Sequence, residues 1–176
     1  MDVKQKQFLD NRFKEYAKTE PGIKPLKAML LKLGGEHVVS PMNHDSEIPR
    51  LNESGFLMNY PVTVKLMEAN MCHLNSVTLF ATGKATAYGT GFALTGDDGL
   101  WRQHSWAIKR QKDGTLGILE TTGERDLYFG VLYWGLLGKM FAKGEFEFNG
   151  VKPPAELVAE LDNIQGAAVE PVGRAD

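Results

Sequence analysis

Cysteine is nearly absent from this chain. Of its 176 residues only Cys72 carries a thiol, which excludes an internal disulfide and a cysteine-rich zinc ribbon. An excess of one charge is missing too. The formal net charge is -2, and Lys4, Lys6, Arg12, Lys14 and Lys18 are mixed with acids in the pattern of a solvated helix face. Phosphate binding calls for a concentrated basic surface, so no nucleic-acid partner is expected. Long apolar runs are also lacking. Leu127 to Leu137 is the most apolar stretch, far short of the roughly 18 residues that suggest a bilayer crossing, so no membrane partner is expected. The opening MDVKQKQFLD has no signal-peptide core, and the expected location is cytoplasmic.

What is present describes a globular protein. Hydrophobic residues make up 43% and charged residues 24%, and the length suits one α+β domain with a real core. That domain is expected over 1–164, with a helical part at about 1–35 and a core at about 60–141. The tail QGAAVEPVGRAD, 165–176, reads as disordered. Apolar spacing predicts helices over Val3–Ala17 and Ile23–Leu33, the second with Pro25 in its first turn and Gly34-Gly35 at its end. Val38 to Met67, with three prolines and polar clusters, reads as a long irregular segment of functional or disordered type. Within it Tyr60–Leu66 has the pattern of a short edge strand. A helix over Met71–Thr82 follows, with Asn70 as N-cap and Gly83 just past its end.

Three strand-like runs come next: Thr86–Thr95, Leu100–Lys109 and Leu116–Thr121. GDDG and KDGT join them as hairpin turns, making an antiparallel meander directly after a helix. Leu127–Phe141 reads as a buried helix capped by Asp126, and as the candidate surface for a homodimer. Ala155–Leu161 reads as a last short helix.

Cys72 is the residue of most chemical interest. Two positions after Asn70 it falls in the first helical turn, among N–H groups that have no intrahelical acceptor. The helix dipole favours a thiolate there, and the same N–H groups suit an oxyanion. A nucleophilic thiol needs a base, and the base needs an orienting group. His73 is adjacent in sequence, but neighbouring helical side chains point about 100° apart, so it reads as a polar residue at a helix start. His37 and His44 lie in irregular segments. His104 sits mid-strand in LWRQHSWAIK, and Glu120 sits within the next apolar strand, where a carboxylate requires a partner. Folding the connection about Lys112 places His104 and Glu120 directly opposite, with Cβ atoms roughly 4.5–5.5 Å apart. Arg102 and Trp106 share the His104 face, as candidate substrate-binding residues or as packing. Gly89 and Gly91 suit either a close substrate backbone or a bulge.

The stretches NMCHLNS, GLWRQHSWAI and GILETT, in that order, resemble the core of papain-like and transglutaminase-like cysteine enzymes. The resemblance covers roughly residues 60–130. It implies an α+β core in which a nucleophile helix packs on an antiparallel sheet, with Cys72 as nucleophile, His104 as base and acid, and Glu120 as orienter. Asn70 is the candidate oxyanion support. The implied activity is that of a thiol hydrolase of amide, isopeptide or thioester bonds acting through an acyl-enzyme, on a small-molecule or peptide substrate, without cofactor or metal. Here Glu120 replaces the usual Asp or Asn, the papain signature around the cysteine is missing, and Cys72 and His104 are only 32 residues apart. Three rivals remain: a transglutaminase-type amine acyltransferase, a non-catalytic binding module with the same core, and a metal site of Cys72, His104, Glu120 and His73.

Overall fold

Asp2 starts the first helix with a reciprocal cap. Its carboxylate accepts from the Gln5 N–H at 2.8 Å, and Gln5 Oε1 accepts from the Asp2 N–H at 3.1 Å, a capping box. The computed structural model of the chain describes residues 1–167. In it α1 (Val3–Thr19) buries Phe13 and Ala17, and α2 (Ile23–Leu33) buries Ile23, Leu26 and Leu30. Both helices fall where apolar spacing places them.

The segment 38–67 is irregular only in part, with loops over 39–47, 59–61 and 65–67. It holds β1 (His37–Val38), α3 (Ile48–Ser54), β2 (Phe56–Met58) and β3 (Val62–Val64). Each strand is too short to show a period in sequence and exists through pairing with a distant partner. The edge strand expected within Tyr60–Leu66 is β3. Next come α4 (Cys72–Ala81) and the expected meander of β4 (Ala87–Thr95), β5 (Leu100–Arg110) and β6 (Leu116–Glu120).

The stretch 127–141 departs most from expectation. Leu127–Tyr133 is a strand, β7, and the helix after it, α5, runs from Gly135 to Phe148. An apolar run without alternation fits a buried strand as well as a buried helix. Here β7 lies between β2 and β4 and is buried on both faces, so the continuous dimer-forming helix does not exist. The last helix, α6, spans Ala155–Ala167. It takes in the first residues of the expected disordered tail, and 168–176 lie outside the described residues.

The mixed sheet has the order β2-β7-β4-β5-β6-β3, with β1 also paired to β5. The pairings of β1 with β5 and β3 with β6 are parallel; the others are antiparallel. Side chains from all six helices join Tyr88, Phe92, Trp101 and Phe129 in one core on one face. The sheet curls, and a second cluster on its other face is built from strand residues alone, among them Met58, Trp106, Ile118 and Tyr128. Among the described residues no helix is long and apolar enough to cross a membrane.

Gly89 makes that second cluster possible. It pairs with Trp106 across β4 and β5, and a Cβ at this position would lie 2.3 Å from the indole Nε1. Gly89→Ala is therefore expected to cost about 1–3 kcal/mol by overpacking. The check is urea denaturation, with the midpoint lowered and the slope unchanged.

Candidate active site

Helix α4 opens at Cys72 because the chain turns sharply just before it. Asn70 has φ 62°, the left-handed region that Asn enters more readily than most residues, and its side chain is exposed. Asn70 is therefore not the N-cap. That position belongs to Met71, which offers no side-chain cap. Nor does any structural feature favour Asn70 as an oxyanion donor. The anchoring falls instead to Asn75, whose buried Nδ2 donates to the Glu68 carbonyl at 2.8 Å. An uncapped start leaves the first-turn N–H groups beside the thiol without a side-chain acceptor.

Glu120 and His104 are brought together as expected, but by a different register. The hairpin turns about Asp113, with Gln111 N–H donating to the Thr115 carbonyl at 2.8 Å and Gly114 at φ 87°. Ala107 faces Leu119 and Arg110 faces Leu116, so His104 and Glu120 are diagonal rather than directly opposed. A slip of two residues keeps both on the same face, and their long side chains close the gap. His104 Nε2 lies 2.7 Å from Glu120 Oε2. On this side β5 pairs with β1 only at 100–101 and with β6 only at 107–110. His104 sits in the intervening gap, where no strand covers the edge.

Glu120 is fully buried and heavily solvated by the protein. Tyr128 Oη donates to Oε2 at 3.1 Å, while the N–H groups of Thr121 and Thr122 donate to Oε1 at 2.8 and 2.9 Å. Thr122 Oγ1 adds a further bond at 3.1 Å. Burial alone raises a carboxyl pKa; the bond from His104 and its charge, with the two amide groups, outweigh it and hold Glu120 at about 2. Burial lowers the His104 pKa, but hydrogen bonding to Cys72 and Glu120 lifts it to about 9. Burial raises the Cys72 thiol, and hydrogen bonding with His104 first and His73 second brings it down to about 5. Glu120 occupies Nε2, leaving Nδ1 of His104 for the thiol. Between about pH 5 and 9 the charges that result are a thiolate, an imidazolium and a carboxylate in series.

His73 is more than a polar residue at a helix start. Its Nδ1 lies 2.7 Å from Ser105 Oγ, which donates in turn to Thr90 Oγ1 at 3.0 Å. Burial lowers its pKa, but its hydrogen bond with the thiol and the thiolate charge prevail, and the net shift is upward. Successive helical side chains diverge, yet a ring half-buried under α4 still reaches the sulfur's surroundings. Cys72 thus has imidazoles on two sides.

His73 and Ser105 also line a cavity of about 420 Å³, together with Tyr88, Tyr133, Glu47 and Glu145. The two expected substrate-binding residues lie elsewhere. Trp106 is fully buried and packs edge-on against Tyr128 at 5.1 Å. Arg102 is held at the turn before β5 by Asp98, with Nη2–Oδ2 at 2.5 Å and Nη1–Oδ1 at 3.1 Å. Neither lines the cavity. Gly89 and Gly91 likewise make room for protein: a Cβ on Gly91 would meet the Phe129 carbonyl.

No protein-family model, curated protein or solved structure matches this chain. The site's chemistry therefore rests on its own geometry. Cys72 and Glu120 address different nitrogens of one imidazole, so they do not converge on a common point. Among the described residues no three His, Cys, Asp or Glu side chains form a group able to hold a metal ion. The supporting donors Thr121, Thr122 and Tyr128 were not legible as site residues. The Thr-Thr after Glu120 was the available signal, since a buried carboxylate at a strand end is readily met by the next two N–H groups. Tyr128 was hidden inside the run read as helix.

Proposed function

We propose that the chain is a cysteine-dependent acyl-transfer enzyme of papain-like or transglutaminase-like type, hydrolysing an amide, isopeptide or thioester. The observation that carries this reading is the buried His104–Glu120 pair at 2.7 Å beside a thiol lowered to about 5. Support also comes from the order of the elements, with the cysteine on a helix packed against β5, the histidine on β5 and the acid on β6.

In this mechanism the Cys72 thiolate attacks the acyl carbon, and the carbonyl oxygen takes up the negative charge. The uncapped first-turn N–H groups of α4 are the donors placed to receive it. The His104 imidazolium protonates the leaving group as the tetrahedral intermediate collapses to a thioester. Neutral His104 then takes a proton from water, which attacks the thioester and regenerates the thiolate–imidazolium pair. Glu120 stays ionised throughout, fixing the ring and balancing its charge.

The sign of the pH dependence follows from the pair. Acid protonates the thiolate as pH falls through about 5, and base removes the imidazolium proton as pH rises through about 9. Iodoacetamide alkylation of Cys72 should therefore rise through a midpoint near 5, and turnover should be bell-shaped between these limits. A single midpoint near the free-thiol value of about 8.5 would overturn the proposal.

A further inference from the structure

The cavity beside His73 is unevenly equipped. Three carboxylates line it, those of Asp45, Glu47 and Glu145. Two are engaged by the protein: Asp45 accepts from Gln103 Nε2 and from the Glu47 N–H, both at 2.9 Å. Glu47 accepts from the Tyr133 hydroxyl, which Arg50 also contacts at 3.1 Å. Glu145, on the third turn of α5, has no side-chain hydrogen bond or ion pair among the described residues. A second observation stands apart from the acids. Tyr88 is only 3% exposed and lines the same cavity, and its hydroxyl, open to the cavity rather than sealed in the core, makes no hydrogen bond among the described residues.

An unpaired carboxylate lacks a cationic N–H donor, and the lone pairs of an unpaired phenol oxygen in the same cavity can accept from that donor too. We propose that this cavity binds a cationic nitrogen group of the substrate, an ammonium or a guanidinium, with Glu145 as counter-charge and the Tyr88 oxygen as acceptor. The inference rests on the acyl-transfer reading: Cys72 does not itself line the cavity, which reaches the nucleophile through its neighbour His73. Among the described residues an anionic substrate group meets no free guanidinium here: Arg50 lies over the Tyr133 ring, 4.7 Å from its centroid, and bonds its hydroxyl, while the His73 charge already faces the thiolate and Glu145. His73 is turned to Ser105.

The test compares two alkylating probes on the full chain, 2-bromoethylammonium and neutral iodoacetamide. Each rate is divided by that for free cysteine at the same pH and ionic strength. The parent should favour the cationic probe, and Glu145→Gln should lower that preference about five- to tenfold, a partly exposed charge being worth less than a buried one. Tyr88→Phe should lower it less. Glu147→Gln removes the same charge from an exposed position paired with Lys143 and should leave the preference in place. An unchanged preference in Glu145→Gln, or an equal fall in Glu147→Gln, overturns the proposal.

Protection of the unmodified protein supplies a second reading if a variant fails to fold. Propylammonium chloride should slow iodoacetamide alkylation more than potassium chloride at equal ionic strength, and 1-propanol should not. Methylguanidinium run alongside separates the two cation types. Equal effects of both organic cations and potassium overturn the proposal. An iodoacetamide midpoint near 8.5 instead removes the acyl-transfer reading itself, so the two failures are told apart.

Discussion

Glu120→Gln is expected to lower stability by about 3–5 kcal/mol and to raise the alkylation midpoint of Cys72 by more than a pH unit. The argument is one of donors and acceptors. Both oxygens of the carboxylate accept: Oε1 from the Thr121 and Thr122 amides, Oε2 from His104 and Tyr128. Glutamine has one oxygen. If it faces the amides, its NH₂ meets His104 Nε2, which must then give up its proton; if it faces His104, two backbone donors meet an amide donor in a buried site. Either arrangement takes the negative charge away from the imidazolium, and so weakens the charge that holds the thiolate. The linkage adds a pH signature. Glu120 is held at about 2, below its ordinary value near 4.3, so its stabilisation is present above that value and lost as pH falls toward 2. The parent should therefore lose the advantage over Glu120→Gln between pH 4 and 2. Thermal unfolding of both proteins from pH 7 to 2.5 measures it; parallel curves would show that the carboxylate is not ionised through His104.

His104→Ala should have the larger effect on chemistry. It removes the stronger of the two imidazole hydrogen bonds to the thiol and leaves the His73 bond in place. The alkylation midpoint is expected to rise from about 5 toward, without reaching, the free-thiol value of about 8.5. Turnover should fall by about 10²–10⁴, the usual worth of a positioned acid–base group, or more where it also activates the nucleophile. Adding His73→Ala leaves burial acting on the thiol and should carry the midpoint to the free-thiol value or above it. If His73→Ala alone moves the midpoint more than His104→Ala, the two imidazoles have exchanged roles. The variant also leaves Glu120 buried without its cationic partner, so a loss of stability is expected alongside. Reading the midpoint on folded protein at low temperature keeps the two effects separate.

The helices α1 and α2 and the meander β4–β6 were legible because each carries its own period or its own turn chemistry. The same local signals paired Cys72 with a strand histidine and a buried acid. They also erred in identifiable ways. The hairpin centre was off by one residue, since KDG and DGT both read as turns and only the Gln111–Thr115 bond decides between them. Asn70 looked like a cap from composition alone, whereas its φ of 62° makes it the turn that precedes the helix. The run 127–141 was ambiguous because burial on every side erases the contrast on which periodicity depends.

By itself, then, the sequence determined the parts whose physics is local: the helix that presents Cys72, the strands that carry His104 and Glu120, and the parity that keeps those two on one face. Tertiary structure decided what depends on distant neighbours. Strand β7 exists because β2 and β4 flank it, the donors around Glu120 converge from three separate segments, and the cavity joins residues of the 42–47 loop to α4 and α5. No spacing rule encodes those meetings, because the free energy that makes them comes from burial and hydrogen bonding between segments far apart in the chain.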